Sequence, residues 1–268
     1  MGESGAEPTE KAWNPSRVLL HVGIGLFAGL LSGMFGVGGG VVIVPLLVLL
    51  LAYPQRLAAG TSLAAIVPIA TVGVASYGLS GDVAWLQALI LAAGAVVGAQ
   101  IGAWLLPRVP VRALQLGFAV FLLAVIVSLF LVVPQRDDPF ELTWYAGLGL
   151  VGLGLVTGIL SGLLGVGGGI IVVPALMLFF GTSDLIARGT SLMMMIPTAL
   201  SGTIGNLGRR NVNLVGAALI GLSACTTTAL GAWIAKSVDP LTGNAIFAVF
   251  LVFITAQLVI RALRGRKK

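Results

Sequence analysis

The chain has 268 residues, of which 58% are hydrophobic and 9% charged, whereas soluble domains carry about 25% charged residues. So few charged side chains cannot cover a water-soluble globule of this size, and the composition favours an all-α polytopic membrane protein. The net charge of +6 does not indicate nucleic-acid binding, because five of the fifteen basic residues lie in the last eight positions, directly after an apolar segment.

The apolar part of the chain lies between a polar N-terminal segment and a basic C-terminal one. Residues 1–16 lack the basic start of a secretory signal. The predicted organisation is an N-terminal cytoplasmic tail (1–16), membrane repeat 1 (17–133), an external connection (134–141), membrane repeat 2 (142–262) and a basic cytoplasmic tail (263–268). Ten apolar segments are predicted, at about 18–36, 41–53, 61–80, 84–105, 112–133, 142–164, 170–181, 190–208, 212–234 and 241–262.

The second membrane repeat copies the first. The stretch Ser-Gly-Met-Phe-Gly-Val-Gly-Gly-Gly at 32–40 returns 129 residues later as Ser-Gly-Leu-Leu-Gly-Val-Gly-Gly-Gly at 161–169. The same offset relates Gly-Thr-Ser-Leu at 60–63 to Gly-Thr-Ser-Leu at 189–192 and needs no insertion over some 120 residues. A register kept over this length indicates an internal duplication.

The distribution of charge predicts how the repeats are oriented. Because cytoplasmic loops are enriched in Lys and Arg, the connection with Arg209 and Arg210 and the basic C-terminal tail are predicted to lie inside. The acidic connection at 134–141 and Asp82 then lie outside. An odd number of crossings precedes the second repeat, so the two are predicted to be inverted-topology repeats, an arrangement common in secondary transporters.

Glycines spaced by four line three of the predicted helices. Small residues let helices approach closely in lipid, and we interpret these rows as packing surfaces between helices. The rows are Gly25, Gly29 and Gly33; Gly94, Gly98 and Gly102; and Gly154, Gly158 and Gly162.

Two glycine-rich stretches are the first candidates for a substrate site. We call residues 36–40 the first glycine loop and residues 165–169 the second. The apolar segment after each has only 12 or 13 residues, too few for an ordinary span of about 20, and is predicted to be a short or tilted span or an arm of a re-entrant hairpin. Irregular backbone at this depth must be buried in protein or line a cavity.

An anion could satisfy the free backbone N–H groups of these loops and the positive N-terminal ends of the helices that follow. The alternative is that the glycines serve only a tight turn and close packing. The predicted binding residues in the loops are Gly36, Val37, Gly38, Gly39, Gly40, Gly165, Val166, Gly167, Gly168 and Gly169.

Hydroxyl and amide side chains form a second candidate set. Thr61 and Ser62, with their copies Thr190 and Ser191, follow a glycine at the start of a predicted segment. Their hydroxyls can cap a helix or donate hydrogen bonds to an oxyanion. Asn206 is a further candidate ligand within the membrane.

Groups that serve catalysis or bind metals are missing from the pattern. No Asp, Glu, Lys or Arg is predicted in the middle of a span, where such residues usually mark proton relays and ion paths. No cluster of Cys, His, Asp and Glu has the spacing of a metal site. We therefore expect no enzyme activity, no catalytic residues, no metal and no cofactor.

The duplicated Gly-Val-Gly-Gly-Gly stretch, each time followed by an apolar run and a proline, resembles the TauE/SafE family of sulfite exporters, as does the duplicated Gly-Thr-Ser-Leu. The likeness extends from about residue 18 to 262. It implies a bacterial inner-membrane permease for sulfite, for sulfonates such as sulfoacetate, or for related small anions. The glycine loops and the two Thr-Ser pairs are the positions to which the resemblance assigns the substrate.

The expected function is secondary transport, more specifically export of a small sulfur-containing anion by alternating access. A carrier of small carboxylates or other metabolites is one alternative, and a non-transporting membrane subunit that scaffolds other proteins is another. The expected partners are the small anion and the lipid bilayer, but not nucleic acid. A homo-oligomer is left open.

Overall fold

A computed structural model describes residues 14–105, 119–120, 123, 126–127 and 144–264. The N-terminal tail up to residue 13, most of the predicted segment 112–133, the external connection 134–141 and residues 265–268 lie outside the described residues. Every regular element in the described part is a helix. In chain order these are α1 (Pro15–Phe35), α2 (Gly40–Leu50), α3 (Gln55–Gly78), α4 (Trp85–Leu105), α5 (Trp144–Leu164), α6 (Gly169–Phe180), α7 (Asp184–Leu207), α8 (Leu214–Ser237) and α9 (Pro240–Arg264).

Five of these helices, α1, α3, α4, α5 and α8, are long and apolar enough to cross a membrane. Large apolar side chains are exposed on their outer faces, for example Phe27 at 53% and Leu222 at 68%. A surface of this kind needs a hydrocarbon solvent, and the protein is a multi-pass membrane protein, as its composition predicts.

The short helix α2 returns to the side of the molecule on which α1 begins. Tyr53, just after α2, forms a 3.1 Å hydrogen bond with His21 in the first turns of α1. The 11 residues of α2 extend about 16 Å, half of the hydrocarbon core of about 30 Å. In the second repeat, Phe180 at the end of α6 likewise packs against Gly149 near the start of α5. Both short segments are therefore arms of re-entrant hairpins.

The molecule has two ends, which we name by residues found there. The His21 side contains His21, Tyr53 and Asn213, which are linked by hydrogen bonds. The Lys236 side contains Asp82, whose carboxylate lies 3.7 Å from the Lys236 ammonium group, and Arg188, whose backbone packs against Gly36 at the end of α1. Helix α3 crosses from the His21 side to the Lys236 side, and α4 crosses back.

The glycine rows form tight contacts between the repeats, which confirms their predicted packing role. On α4, a Cβ added at Gly94, Gly98 or Gly102 would overlap successive backbone groups of α5, beginning at Val151 and ending at Ile159. The α1 row packs in the same way against α8, from Ile220 to Thr228. In both pairs the residue numbers rise together, so the two helices are parallel.

This parallel packing confirms that the repeats are inverted. Helix α4 runs from the Lys236 side to the His21 side, and its parallel neighbour α5 must run the same way. Helix α1, which α5 copies, runs in the opposite direction. The central helices α3 and α7 cross antiparallel, with Gly73 against Leu192 and Leu63 against Gly202.

Helices α3 and α7 begin six residues before the predicted segments, which start at 61 and 190. Pro54 precedes the first turn of α3, and the Ser183 hydroxyl caps α7 by accepting a 3.3 Å hydrogen bond from the Ile186 amide. The prediction missed these turns because they contain polar residues, which hydropathy assigns to a connection. Thr61 and Thr190 therefore lie inside their helices and do not cap them, contrary to one of the two interpretations of these residues.

Candidate functional site

The two glycine loops touch each other in the middle of the molecule. A Cβ added at Gly40 would lie 2.8 Å from the carbonyl oxygen of Val166, and one added at Gly169 would lie 2.7 Å from the carbonyl oxygen of Gly36. Val37 is fully buried. The structure thus brings together all ten predicted loop residues, from two hairpins that enter from opposite sides.

Three glycines in each loop have left-handed backbone conformations at equivalent positions. Their φ angles are +67° at Gly36, +69° at Gly38 and +73° at Gly39, and +71° at Gly165, +83° at Gly167 and +82° at Gly168. Residues with a Cβ rarely adopt these angles. Each loop reverses the chain within a few residues, and this allows α2 and α6 to begin at the centre.

The N-terminal ends of both half-helices face this centre. Helix α2 follows Gly39 and helix α6 follows Gly168, and no side chain caps either end. The first amide groups of a helix have no acceptor within that helix, and the helix dipole places partial positive charge there. Two such ends from opposite directions produce a small region that favours negative charge without any ionised side chain.

Two apolar side chains fill the space beside the loops. The Met195 methyl group lies where a Cβ added at Gly38 or Gly167 would be, and the Met195 sulfur is 2.9 Å from the position of a Cβ at Gly169. Ile66, the copy of Met195 in the first repeat, lies 3.3 Å from the Cβ position of Gly38. Both are fully buried and belong to the middle turns of α7 and α3. Neither residue was predicted from the sequence to belong to the site.

The serines next to the loops differ in their hydrogen bonds. The Ser191 hydroxyl donates to the carbonyl oxygen of Gly36 at 3.0 Å. Its copy Ser62 is also fully buried but has no hydrogen-bond partner in the described part of the chain. The same holds for Ser32 and Ser161, in the last turns of α1 and α5. These three hydroxyls can donate hydrogen bonds to a ligand without first breaking a hydrogen bond within the protein.

The other predicted ligands lie further from the centre. The Thr61 hydroxyl accepts a 3.0 Å hydrogen bond from the Asn213 amide, and Thr190 accepts one of the same length from the Ala84 amide. These bonds join the two repeats. Asn206 donates to the Gly202 carbonyl within its own helix and is three turns, or about 16 Å, beyond Met195. The structure does not bring Asn206 to the glycine loops.

A buried ion pair lies beside the first glycine loop. Arg188 and Asp184 are separated by one turn of α7, and a terminal guanidinium nitrogen of Arg188 lies 3.3 Å from a carboxylate oxygen of Asp184. The two residues are only 3% and 1% exposed, respectively. Arg188 also donates a 2.8 Å hydrogen bond to the carbonyl oxygen of Met34. Neither residue was predicted as a site residue, because the predicted apolar segment starts at residue 190, after both of them. The spacing of Asp184 and Arg188, four residues apart and just before an apolar segment, was the signal in the sequence that could have indicated an ion pair.

Hydrogen-bonded groups close both ends of the molecule. On the Lys236 side, the Lys236 ammonium group donates to the Ser76 carbonyl at 2.7 Å and to the Ser80 hydroxyl at 2.6 Å. On the His21 side, Asn213 donates a 2.9 Å bond to the Tyr53 oxygen, which is also bonded to His21. Burial raises the pKa of Tyr53, so its hydroxyl keeps its proton at neutral pH. Within the described residues there is no group of three potential metal ligands.

Several known proteins are similar to this chain. The sequence model of the family described as "Sulfite exporter TauE/SafE" matches residues 3–129 and 150–268. The probable membrane transporter protein YunE of Bacillus subtilis (strain 168) is 29% identical over 268 residues, which cover 91% of this chain and 97% of that protein. The probable membrane transporter protein YdhB of the same organism is 30% identical over 190 residues, covering 70% and 78%. A probable membrane transporter protein of Xylella fastidiosa (strain Temecula1) is 25% identical over 252 residues, covering 91% and 96%. No solved structure gives a significant match.

Proposed function

Since the chain belongs to the sulfite exporter TauE/SafE family, we propose that it exports small sulfur-containing oxyanions, such as sulfite or an organosulfonate, by alternating access. In this proposal it is a secondary transporter of the bacterial inner membrane, with both termini in the cytoplasm. Arg17, Arg56, Arg209 and Arg210 belong to segments on the His21 side, which is then the cytoplasmic side by the enrichment of basic residues in cytoplasmic loops.

One observation carries the proposal. The glycine loops of two inverted repeats meet at the centre, and a half-helix begins at each. Secondary transporters bind substrates at discontinuous helices of this kind near the middle of the membrane, with helix N-termini directed at anionic groups. The unpartnered hydroxyl of Ser62 supplies a hydrogen-bond donor in the same region.

The chemistry of the site suits a small oxyanion. Sulfite and sulfonate groups present three oxygen atoms, which accept hydrogen bonds from backbone amides and serine hydroxyls. Helix dipoles and hydroxyl groups bind an anion only weakly when no cation is present. Weak binding suits a transporter, because the bound anion must be released again. The Met195 and Ile66 side chains must move for an anion to enter, which a flexible methionine permits at low cost.

Export of an anion needs no coupling ion. With the inside negative, each unit of negative charge that leaves gains about 2.3 kcal/mol per 100 mV. Alternating access then requires opening the contacts around Tyr53 on one side and around Lys236 on the other in turn. The inverted repeats make the two openings structurally equivalent movements.

The test is transport of radiolabelled sulfite by purified protein in lipid vesicles. Vesicles loaded with sulfite should release it faster than protein-free vesicles, and faster still when a potassium gradient with valinomycin makes the interior negative. Excess unlabelled sulfite or sulfoacetate should compete, whereas acetate should not. Competition by acetate alone would favour the carboxylate carrier, and absence of any flux from monodisperse protein would favour the scaffold.

A further inference from the structure

A single face of α7 connects the Lys236 side to the glycine loops. Asp184, Arg188, Ser191 and Met195 follow one another at intervals of three or four residues, which places them on one helix face. Arg188 bonds to Met34 and Ser191 bonds to Gly36, so this face lies along the end of α1 and the first glycine loop.

Arg188 lies at the outer end of this face, in a narrow hollow whose other lining residues carry no charge. The hollow lies between the ends of α1 and α8 and the start of α9, and its other lining residues are Met34, Phe35, Ala235, Val238, Gly243 and Ile246. At Gly243, a Cβ would lie 3.4 Å from a terminal nitrogen of Arg188. The absence of a side chain at this position leaves room on that face of the guanidinium group.

The two repeats differ at these positions. The copies of Asp184 and Arg188 in the first repeat are Gln55 and Ala59, and Ala59 packs against Gly165 in the same way as Arg188 packs against Gly36. A small uncharged residue is therefore enough for this packing contact, and the contact alone does not require an arginine. Burying an arginine in a membrane protein is costly, and ionisable residues buried there usually mark the path of an ion or substrate.

We propose that Arg188 is an anion receptor on the Lys236 side, through which the oxyanion passes between the glycine loops and the exterior. This inference rests on the proposed function. A guanidinium group binds two oxygens of an oxyanion at once, and sulfite or a sulfonate presents such a pair. Asp184 neutralises Arg188 when the receptor is empty and competes with the anion, so that the anion is released again.

The inference predicts opposite effects for the two members of the ion pair. Replacing Arg188 by Gln together with Asp184 by Asn removes both charges and leaves none buried without a partner. This double variant should fold, yet its KM for sulfite in the vesicle assay should rise at least tenfold. Asp184→Asn alone leaves the guanidinium group without its competing carboxylate, and its KM should fall several-fold.

These variants separate a receptor from a structural ion pair. If the pair only holds α7 in place, the double variant should transport sulfite with the wild-type KM, and that result would overturn the inference. Where the double variant cannot be purified, Asp184→Asn decides, since an unchanged or raised KM is incompatible with competition. Wild-type protein is measured first with sulfite: if it shows no flux, the proposed function fails, whereas wild-type flux with unchanged variants rejects only the role of Arg188.

Discussion

Ser62 and Ser191 occupy the same position in the two repeats but have different surroundings. Ser191 donates to the Gly36 carbonyl, and Ser62 is buried without a partner in the described part of the chain. A buried hydroxyl without a hydrogen bond costs about 1–3 kcal/mol. This cost would be offset in the anion-bound state that we propose, where the Ser62 hydroxyl would donate a hydrogen bond to the anion.

Replacing Ser62 by Ala tests this use. The melting temperature of the purified protein should stay the same or rise, because an unsatisfied buried hydroxyl is removed. The KM for sulfite should rise about tenfold or more, since a hydrogen bond to a charged group contributes about 1.5–3 kcal/mol.

The matched control is Ser191→Ala, which breaks a bond that the protein already makes and should lower stability by about 1 kcal/mol. An unchanged KM in the Ser62→Ala variant would show that the Ser62 hydroxyl does not bind the anion.

At the scale of helices, the glycine rows set the distance between α4 and α5 and between α1 and α8. A Cβ added at Gly158 would overlap the Ala95 carbonyl and lie 2.7 Å from the Ala95 Cα. These are backbone atoms, which cannot move aside as a flexible side chain would. Where hydrophobic drive between helices is weak, close backbone packing supplies the association.

Replacing Gly158 by Leu should therefore separate α4 from α5. We expect the variant to lose at least about 1–3 kcal/mol, the usual cost of overpacking, and to show a lower melting temperature or aggregation in size-exclusion chromatography. Gly152→Leu, in the same helix, is the control, because nothing lies within 4 Å of a Cβ at that position. Equal stability of the two variants would contradict the packing role.

Repetition and spacing were enough to predict the helical fold, the inverted repeats, the packing rows and the glycine loops. Hydropathy could not predict the direction of α2 and α6, because a short apolar segment fits a tilted span as well as a hairpin. The predicted loop and Thr-Ser residues were found because they occur in both repeats, and this comparison overlooks residues that occur in only one. Arg188 and Met195 were not selected as site residues because their copies in the first repeat are Ala59 and Ile66.

At the scale of the whole molecule, two equivalent connections lie at opposite ends. Residues 79–84 join α3 to α4 on the Lys236 side, and residues 208–213, their copies, join α7 to α8 on the His21 side. The first connection contains Asp82 and the second contains Arg209 and Arg210. Because cytoplasmic loops are enriched in Lys and Arg, this difference in charge predicts that the His21 side faces the cytoplasm.

Single cysteines in these connections test the orientation. In a Cys225→Ser background, Leu79→Cys should react with a membrane-impermeant maleimide added to spheroplasts, because Leu79 is 92% exposed on the side proposed to be external. Its copy Gly208→Cys, also exposed, should react only after the membrane is permeabilised. The reverse labelling pattern would place the His21 side outside and contradict the orientation predicted from the charges of the two connections.

The tight contacts between the repeats have a consequence for synthesis of the chain. Gly25 on α1 packs against Ile220 on α8, so α1 meets this neighbour only after almost two hundred further residues have been made. At about 5–20 residues per second, this takes roughly 10–40 s. During that interval the glycine row on α1 faces lipid, and it is covered only when α8 inserts in the same direction as α1.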